Sequence, residues 1–269
     1  MKKPDRPFTL DREGAVAWLT LNRPEKRNTM NDDFFRELEQ HFYEFDRDPD
    51  IRVVVLKGEG RSFTAGLDLL GMAPMFQGKG AGFRENLRRD IRRFQDSMSA
   101  VERCRKPVIA AIHSHCIGGG VDLASACDIR MASRDAVFSI RETRIAIIAD
   151  LGTLQRLPHI IGEGWFRELA LTGRDFTAEE ALQMRFISRL CEDRQTLYEE
   201  ARKLAVEMAG LPPLTVQGVK DVILYSRDHG VGPGLEYVAQ KNAAQIPSED
   251  LLEAFQAFME KRAATFKGN

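Results

Sequence analysis

Three carboxylic residues at short intervals, each set among apolar neighbours, are the first part of this chain that suggests chemistry. They are Asp122, Glu142 and Asp150, with intervals of 20 (142 − 122) and 28 (150 − 122) residues. Glu142 lies in FSIRETRIAII and Asp150 in IIADLG. A carboxyl in apolar surroundings pays for ionising, so its pKa rises toward the range in which it can both accept and return a proton. Two such groups at different distances along a substrate can remove a proton at one carbon and supply one at another. Each acid also has an ordinary structural role open to it. Asp122 can cap a helix, Glu142 can pair with Arg141 or Arg144, and Asp150 can cap a turn before Gly152.

Two glycine-containing turns accompany the acids. One is Ser62-Phe63-Thr64-Ala65-Gly66-Leu67-Asp68-Leu69, and the other is Cys116-Ile117-Gly118-Gly119-Gly120-Val121-Asp122-Leu123. Both are expected to follow a strand and to open a helix, where backbone N–H groups are free to donate and glycine lets the chain approach a ligand oxygen. The second turn lacks the GxGxxG spacing of a dinucleotide site, and no Gly-Lys-Ser/Thr follows a glycine run as a P-loop requires. The pair His113 and His115 lacks a third ligand or HExxH spacing, so these are read as packed histidines and no metal site is expected.

The elements that must hold these residues alternate between strand and helix signals. An apolar alternation runs from Phe8 to Leu21 and ends at the turn NRPEKRN. A helix beginning near Asn31 follows, capped by Asn31 with Asp32 and Asp33 in its first turn. Short β-branched runs at residues 52–58 and 107–112 read as buried strands. Between them Leu87, Ile91, Phe94, Met98 and Val101 step along one helical face, while Arg88, Arg89, Arg92 and Arg93 fall on the others and read as a solvated or ion-paired surface. From about Tyr198 the chain reads as helices, broken at Pro212-Pro213 and at HGVGPG. These signals predict an α/β architecture with an all-helical C-terminal region, divided as residues 1–197 and 198–269.

Composition excludes several classes. With 269 residues, 43% hydrophobic and 29% charged, the chain can bury a sizeable core. A net charge of −1 offers no overall field toward nucleic acid or an anionic membrane. Cys104, Cys116, Cys127 and Cys191 show no CxxC pair and are expected to be reduced core residues. No apolar run is long enough to span a bilayer. The first fourteen residues resemble neither a secretory signal nor a transit peptide, and the last residues are not a peroxisomal address, so a cytoplasmic location is expected.

The strings NRPEKRN, SFTAGLDL, KPVIAAI, GGGVDLASACDIR and ADLGTLQRLP resemble, in order and spacing, the enoyl-CoA hydratase/isomerase (crotonase) superfamily. Within it the chain is most similar to the Δ3,5-Δ2,4-dienoyl-CoA isomerases, sharing GGGVDL, the acid before the ADLGTLQRLP segment, and a stretch like Val216 to His229. The resemblance implies a ββα spiral core and an acyl-CoA thioester substrate, with coenzyme A part of that substrate and no separate cofactor. It implies an oxyanion hole made by the backbone N–H groups of Leu67 and Gly119, and a CoA cradle along Ala65, Gly66, Leu67, Asp68 and Leu69. Lys26 and Arg27 are candidate phosphate neighbours, although a charged turn is also ordinary surface. Asp68 itself reads as a turn and cap residue.

In the isomerases Glu142 would take the proton at carbon 2 and Asp150 would return one at carbon 6, with Asp122 supporting both. Hydratases of the same superfamily use two acids, at positions matching Asp122 and Glu142, and usually have Gly where this chain has Asp150. Hydration of 2-trans-enoyl-CoA is therefore the alternative reaction, and a non-catalytic binding scaffold is a further one. The superfamily also implies a trimer or dimer of trimers built through the C-terminal helices. Ser114-His115 departs from the Gly-Gly of these isomerases and is expected to narrow the pocket.

Overall fold

The computed structural model describes residues 6–269. The chain opens with β1 (Phe8–Glu13) and β2 (Val16–Leu21), then α1 (Asp32–Arg47), β3 (Val53–Gly58), α2 (Gly80–Arg103) and β4 (Val108–Ile112). Next come β5 (His115–Ile117), α3 (Gly119–Ala126), β6 (Ile129–Ser133), β7 (Val137–Ser139), α4 (Thr153–Ile161) and α5 (Glu163–Thr172). The remainder is β8 (Asp175–Thr177), α6 (Ala178–Gln183), β9 (Arg189–Cys191), α7 (Arg194–Ala209), α8 (Pro213–His229), α9 (Val231–Gln245) and α10 (Glu249–Glu260). The alternating run from Phe8 to Leu21 is therefore a hairpin, which turns at Gly14 with φ of 58° and pairs β1 antiparallel to β2.

The strands form a six-stranded sheet in the order β1-β2-β3-β4-β6-β9 and a three-stranded sheet in the order β5-β7-β8. Beyond the hairpin, every pairing in the larger sheet is parallel. Successive strands β4, β5, β6 and β7 alternate between the two sheets, so the chain winds as a spiral. Side-chain alternation decides what each face of the larger sheet buries. Val54 and Leu56 of β3 enter the main core with Phe34, Leu38 and Met98, whereas Val53 and Val55 face the second core with Leu197, Ala201 and Ala205 of α7. Each fully buried aliphatic side chain there contributes roughly 1.5–3 kcal/mol. The four cysteines are buried and unpaired.

Asn31 caps α1 as expected, its side chain accepting from the Phe34 N–H at 3.0 Å. The arginines of α2 are surface groups: Arg88 and Arg89 pair with Glu85, and Arg93 pairs with Asp32. A boundary between residues 197 and 198 falls inside α7, and α7 belongs to the core because its Leu197, Ala201 and Ala205 cover the larger sheet. The helices α8, α9 and α10 lie outside that core. α8 is tied to it by the Lys220 ammonium, which donates to Asp128 at 2.7 Å and to the Lys106 carbonyl at 3.1 Å.

The NRPEKRN turn is held by Asn28, which adopts a left-handed backbone (φ 55°) and is buried. Its Nδ2 donates toward the carbonyls of Glu59, Ser62 and Phe63 at 2.9, 2.8 and 3.1 Å, and its Oδ1 accepts from the Arg23 N–H at 2.8 Å. Asn28→Ala removes these bonds, strands buried carbonyls and keeps the strained φ. We expect it to cost about 3 kcal/mol, measured as a lowered urea midpoint.

Candidate active site

The two glycine turns lie side by side, and backbone pairing puts them there. Thr64 donates to the His115 carbonyl (2.9 Å), and the Thr64 carbonyl accepts from Ile117 (3.1 Å). On the other side the Ala65 N–H donates to the Arg27 carbonyl (2.9 Å), while the Gly66 carbonyl and Asp68 N–H both pair with Met30 (2.9 Å each). Met30 thus bonds on either side of Leu67 and leaves the Leu67 N–H unused. Gly119 begins α3, where the N–H has no partner within the helix. Among the described residues neither the Leu67 nor the Gly119 N–H has a protein acceptor. The second turn opens a helix as expected, but the first does not: turns and a short 3₁₀ segment, Ala73–Phe76, follow it. The Leu67 donor is free because of its pairing geometry rather than a helix start.

Glycine is required where the turns touch. A Cβ on Gly66 (φ 87°) would stand 2.6 Å from the Ile117 carbonyl oxygen, and one on Gly118 (φ 53°) would stand 3.0 Å from a Glu142 carboxylate oxygen. The same geometry brings Glu142 to the second turn.

Glu142 rides on a 3₁₀ turn, Arg141–Ile145, that follows β7. Of its neighbouring arginines, Arg141 borders the same cavity but pairs with Asp175, and Arg144 donates to the Thr172 carbonyl at 3.1 Å. Neither neutralises Glu142, and one of its oxygens, Oε2, is buried with no hydrogen-bond partner. Burial, reinforced by the nearby Asp122 charge, pushes the Glu142 carboxyl up to about 7 from an ordinary 4.5. Asp122, 1% exposed in the first turn of α3, is raised by burial to about 6 although it accepts from the Thr153 N–H at 2.7 Å. That bond caps α4, so Asp122 is a cap, but of a different helix from its own. Burial also raises Asp150, and Gln95 donates to its carbonyl oxygen at 2.7 Å.

A cavity of about 130 Å³ joins these parts. Glu142 and Asp150 border it together with Ala65, Gly66, Leu67, Leu69 and Gly119, against an apolar wall that includes Met30, Phe35, Ile117 and Ile147. Asp122 does not border the cavity; it acts on Glu142 by charge from behind. Asp68 is also outside, bonded to the Gly71 N–H (2.9 Å) and to Arg23 (3.1 Å). Burial alone would raise Asp68, but these two partners hold it below the ordinary carboxylate range. Lys26 and Arg27 are exposed on the adjoining turn.

Ser114 and His115 are absent from the cavity wall, so they do not narrow it as expected. Ser114 takes a left-handed backbone (φ 51°), which a glycine would adopt without strain, and its hydroxyl bonds to His115 at 2.9 Å. His113 is packed against the Gly60 carbonyl (3.2 Å) and the Tyr198 hydroxyl (3.3 Å). A larger open cleft of about 870 Å³ lies by Trp18, Lys57 and Tyr198. It is rimmed by paired surface charges such as Arg202 with Glu13, and it holds none of the raised carboxyls.

Four supports of the site, Arg23, Asn28, Met30 and Gln95, carry no signal of that role in the sequence. Arg23 and Asn28 were within a recognised turn, but nothing in a charged turn distinguishes a buried arginine from a solvated one. Met30 acts through its backbone, which leaves no trace in residue type.

This fold and site define an acyl-thioester enzyme, and the chain belongs to the enoyl-CoA hydratase/isomerase family, whose model matches residues 11–269. The fold is the crotonase spiral that the sequence motifs imply. The chain is 46% identical to the mitochondrial Delta(3,5)-Delta(2,4)-dienoyl-CoA isomerase of Dictyostelium discoideum, over 94% of this chain and 88% of that one. It is 44% identical to the peroxisomal isomerase of Arabidopsis thaliana, over 94% and 93% of the two chains. Among solved structures it matches an enoyl-CoA hydratase from Bacillus anthracis with a TM-score of 0.91 and 33% identity, covering 98% of this chain and 100% of that one.

The expectation of a cytoplasmic location is overturned by the mitochondrial and peroxisomal relatives. It rested on the two ends of the chain, and residues 1–5 lie outside the described residues. A targeting address is a local segment read separately from the fold, so the fold does not decide the compartment.

The raised Glu142 has a measurable consequence for stability. A carboxyl whose folded pKa lies above its unfolded value destabilises the fold as pH rises through that window, here from about 4.5 to about 7. Glu142→Gln removes that cost. The variant should gain roughly 2–3 kcal/mol over the parent at pH 8, with the advantage gone below pH 4.5, as read by denaturant melts at both pH values.

Proposed function

We propose that this enzyme converts a 3,5-dienoyl-CoA into a 2,4-dienoyl-CoA, as the similar isomerases are named for doing. The observation that carries the reading is the pairing of Glu142 and Asp150 across one apolar cavity, beside two unengaged backbone donors. In this reading the thioester oxygen accepts from the N–H groups of Leu67 and Gly119. Loss of a proton from carbon 2 places negative charge on that oxygen, and fixed donors stabilise it; one such donor is worth about 3–4 kcal/mol of barrier. Glu142, titrating near 7, is the base at carbon 2. Asp150, kept protonated more readily than an ordinary aspartate, supplies the proton at carbon 6. Asp122 keeps Glu142 basic through its charge and fixes the start of α4.

The turn Ala65 to Leu69 cradles coenzyme A along its backbone, with Lys26 and Arg27 offering cations to the phosphates. Proton transfer changes no oxidation state, so coenzyme A enters as part of the substrate and no separate cofactor takes part. The helices α8 to α10 form the contact between subunits of a trimer or dimer of trimers. Their support is an apolar surface unusual for a lone helix: Leu252, Phe255, Phe258 and Met259 of α10 are 60–84% exposed. Phe258→Glu should shift the protein to monomers by light scattering at micromolar concentration; an unchanged mass would remove α10 from the interface.

Hydration of 2-trans-enoyl-CoA is the second reading, favoured by the likeness to a hydratase structure. Asp150 separates the two. Asp150→Asn should lower dienoyl-CoA isomerisation by roughly 100- to 10,000-fold with little change in binding, because no proton can then pass through position 150. A hydratase would keep most of its rate in the same variant. Both substrates are assayed on one folded preparation, with mass distinguishing the added water from an unchanged total.

A further inference from the structure

Asp150 and its neighbour Leu151 border a second cleft as well as the acyl cavity, and the two spaces differ in character. The second cleft, about 370 Å³, lies between α2, α4 and the end of α8 and is lined almost throughout by polar side chains. Glu102 there bonds Arg227 (2.6 Å) and stands 3.2 Å from the Arg156 guanidinium. Arg156 in turn donates to the Ser99 hydroxyl at 3.1 Å. Gln95, on the same face of α2 one turn earlier, holds the Asp150 carbonyl. Glu142 borders the apolar cavity and does not line this cleft, and its Oε2 has no hydrogen-bond partner among the described residues.

This asymmetry matters because isomerisation leaves the two acids in the wrong states for another cycle. Glu142 ends with a proton taken from carbon 2, and Asp150 ends without the one given to carbon 6. A carboxylate that borders polar, solvated space recovers a proton from water quickly, while one facing only a filled apolar cavity must wait for the product to leave.

We propose that the polar cleft is the proton entry for Asp150, so that the hydrogen delivered to carbon 6 comes from solvent through the passage beside Ser99 and not from carbon 2. The inference rests on the isomerase reading above. The balance closes over one cycle: Asp150 takes one proton from cleft water, and Glu142 releases one to water when the product departs. Ser99, which lines the cleft from α2 and accepts from Arg156 at 3.1 Å, is the positioning residue in this proposal.

The test follows hydrogen. When the parent enzyme turns over a 3,5-dienoyl-CoA in D2O, the product should carry one deuterium at carbon 6 by NMR and mass. Ser99→Leu, which fills the passage without entering the acyl cavity, should lower kcat about tenfold with KM unchanged and raise the solvent isotope effect on kcat, because reprotonation becomes limiting. Ser99→Val, with less added bulk, should show the same changes in smaller degree and serves if the leucine variant melts early. Product carrying undeuterated carbon 6 from the parent would overturn the proposal in favour of internal return from Glu142. Folded Ser99 variants with unaltered kcat and isotope effect would overturn it in favour of exchange through the cavity mouth. A parent that converts no dienoyl-CoA, or an Asp150→Asn variant that converts it fully, defeats the isomerase reading itself and the proposal with it.

Discussion

The contact between Gly66 and the Ile117 carbonyl is the constraint on which the site depends. With a Cβ at position 66 the two turns could not approach, and the Leu67 and Gly119 N–H groups would no longer open onto one space. Around that contact the remaining bonds fall into place. Thr64 zips onto β5, Met30 bonds both neighbours of Leu67, and Asn28 clamps the preceding loop to the carbonyls of residues 59, 62 and 63. Arg23, buried at 2% exposure, then holds Asp68 and so fixes the far end of the same turn. Arg23, Asn28 and Thr64, which help to aim the two backbone donors, do not themselves border the cavity.

The acids illustrate a trade between stability and chemistry. Asp122, Glu142 and Asp150 are each raised by burial, and a backbone N–H offsets part of the cost at each: that of Thr153 for Asp122, and their own for Glu142 and Asp150. A pair of salt bridges would have been available, since Arg141 and Arg144 flank Glu142, yet both arginines are turned to α5 and to Asp175. Diverting those cations keeps Glu142 unneutralised. A fold selected only for stability would leave no carboxylate oxygen buried without a partner.

The C-terminal helices obey a different logic. α7 is part of the core, but in α8 the sole fully buried residue is Lys220, and in α9 it is Gly234. α8 is attached by polar anchors, namely Lys220 on Asp128 and Arg227 on Glu102, and α9 is bonded to α8 through Tyr237 and Lys241 on Asp221. Such anchoring fixes orientation while leaving apolar side chains on the outer face, which suits a surface made to meet another copy of the chain.

The strands at 53–58 and 108–112, the helix capped by Asn31 and the buried state of the cysteines were legible in the sequence because each follows from a local pattern of period, cap or composition. The identity of the three acids was legible too, through motifs whose order and spacing survive as text. What the sequence could not decide was which of those acids reach the cavity: Asp122 and Asp150 have equally apolar neighbours along the chain, yet one caps a distant helix from below and the other borders two clefts. Nor could it show that the first glycine turn opens no helix, that Ser114 and His115 stand clear of the cavity, or that α7 belongs to the sheet. Each of these depends on pairings between residues far apart in sequence, such as Met30 with Leu67 and Thr64 with Cys116. Residue type and period determine which elements form, but the direction in which a backbone donor or a carboxyl points is set only when those elements dock.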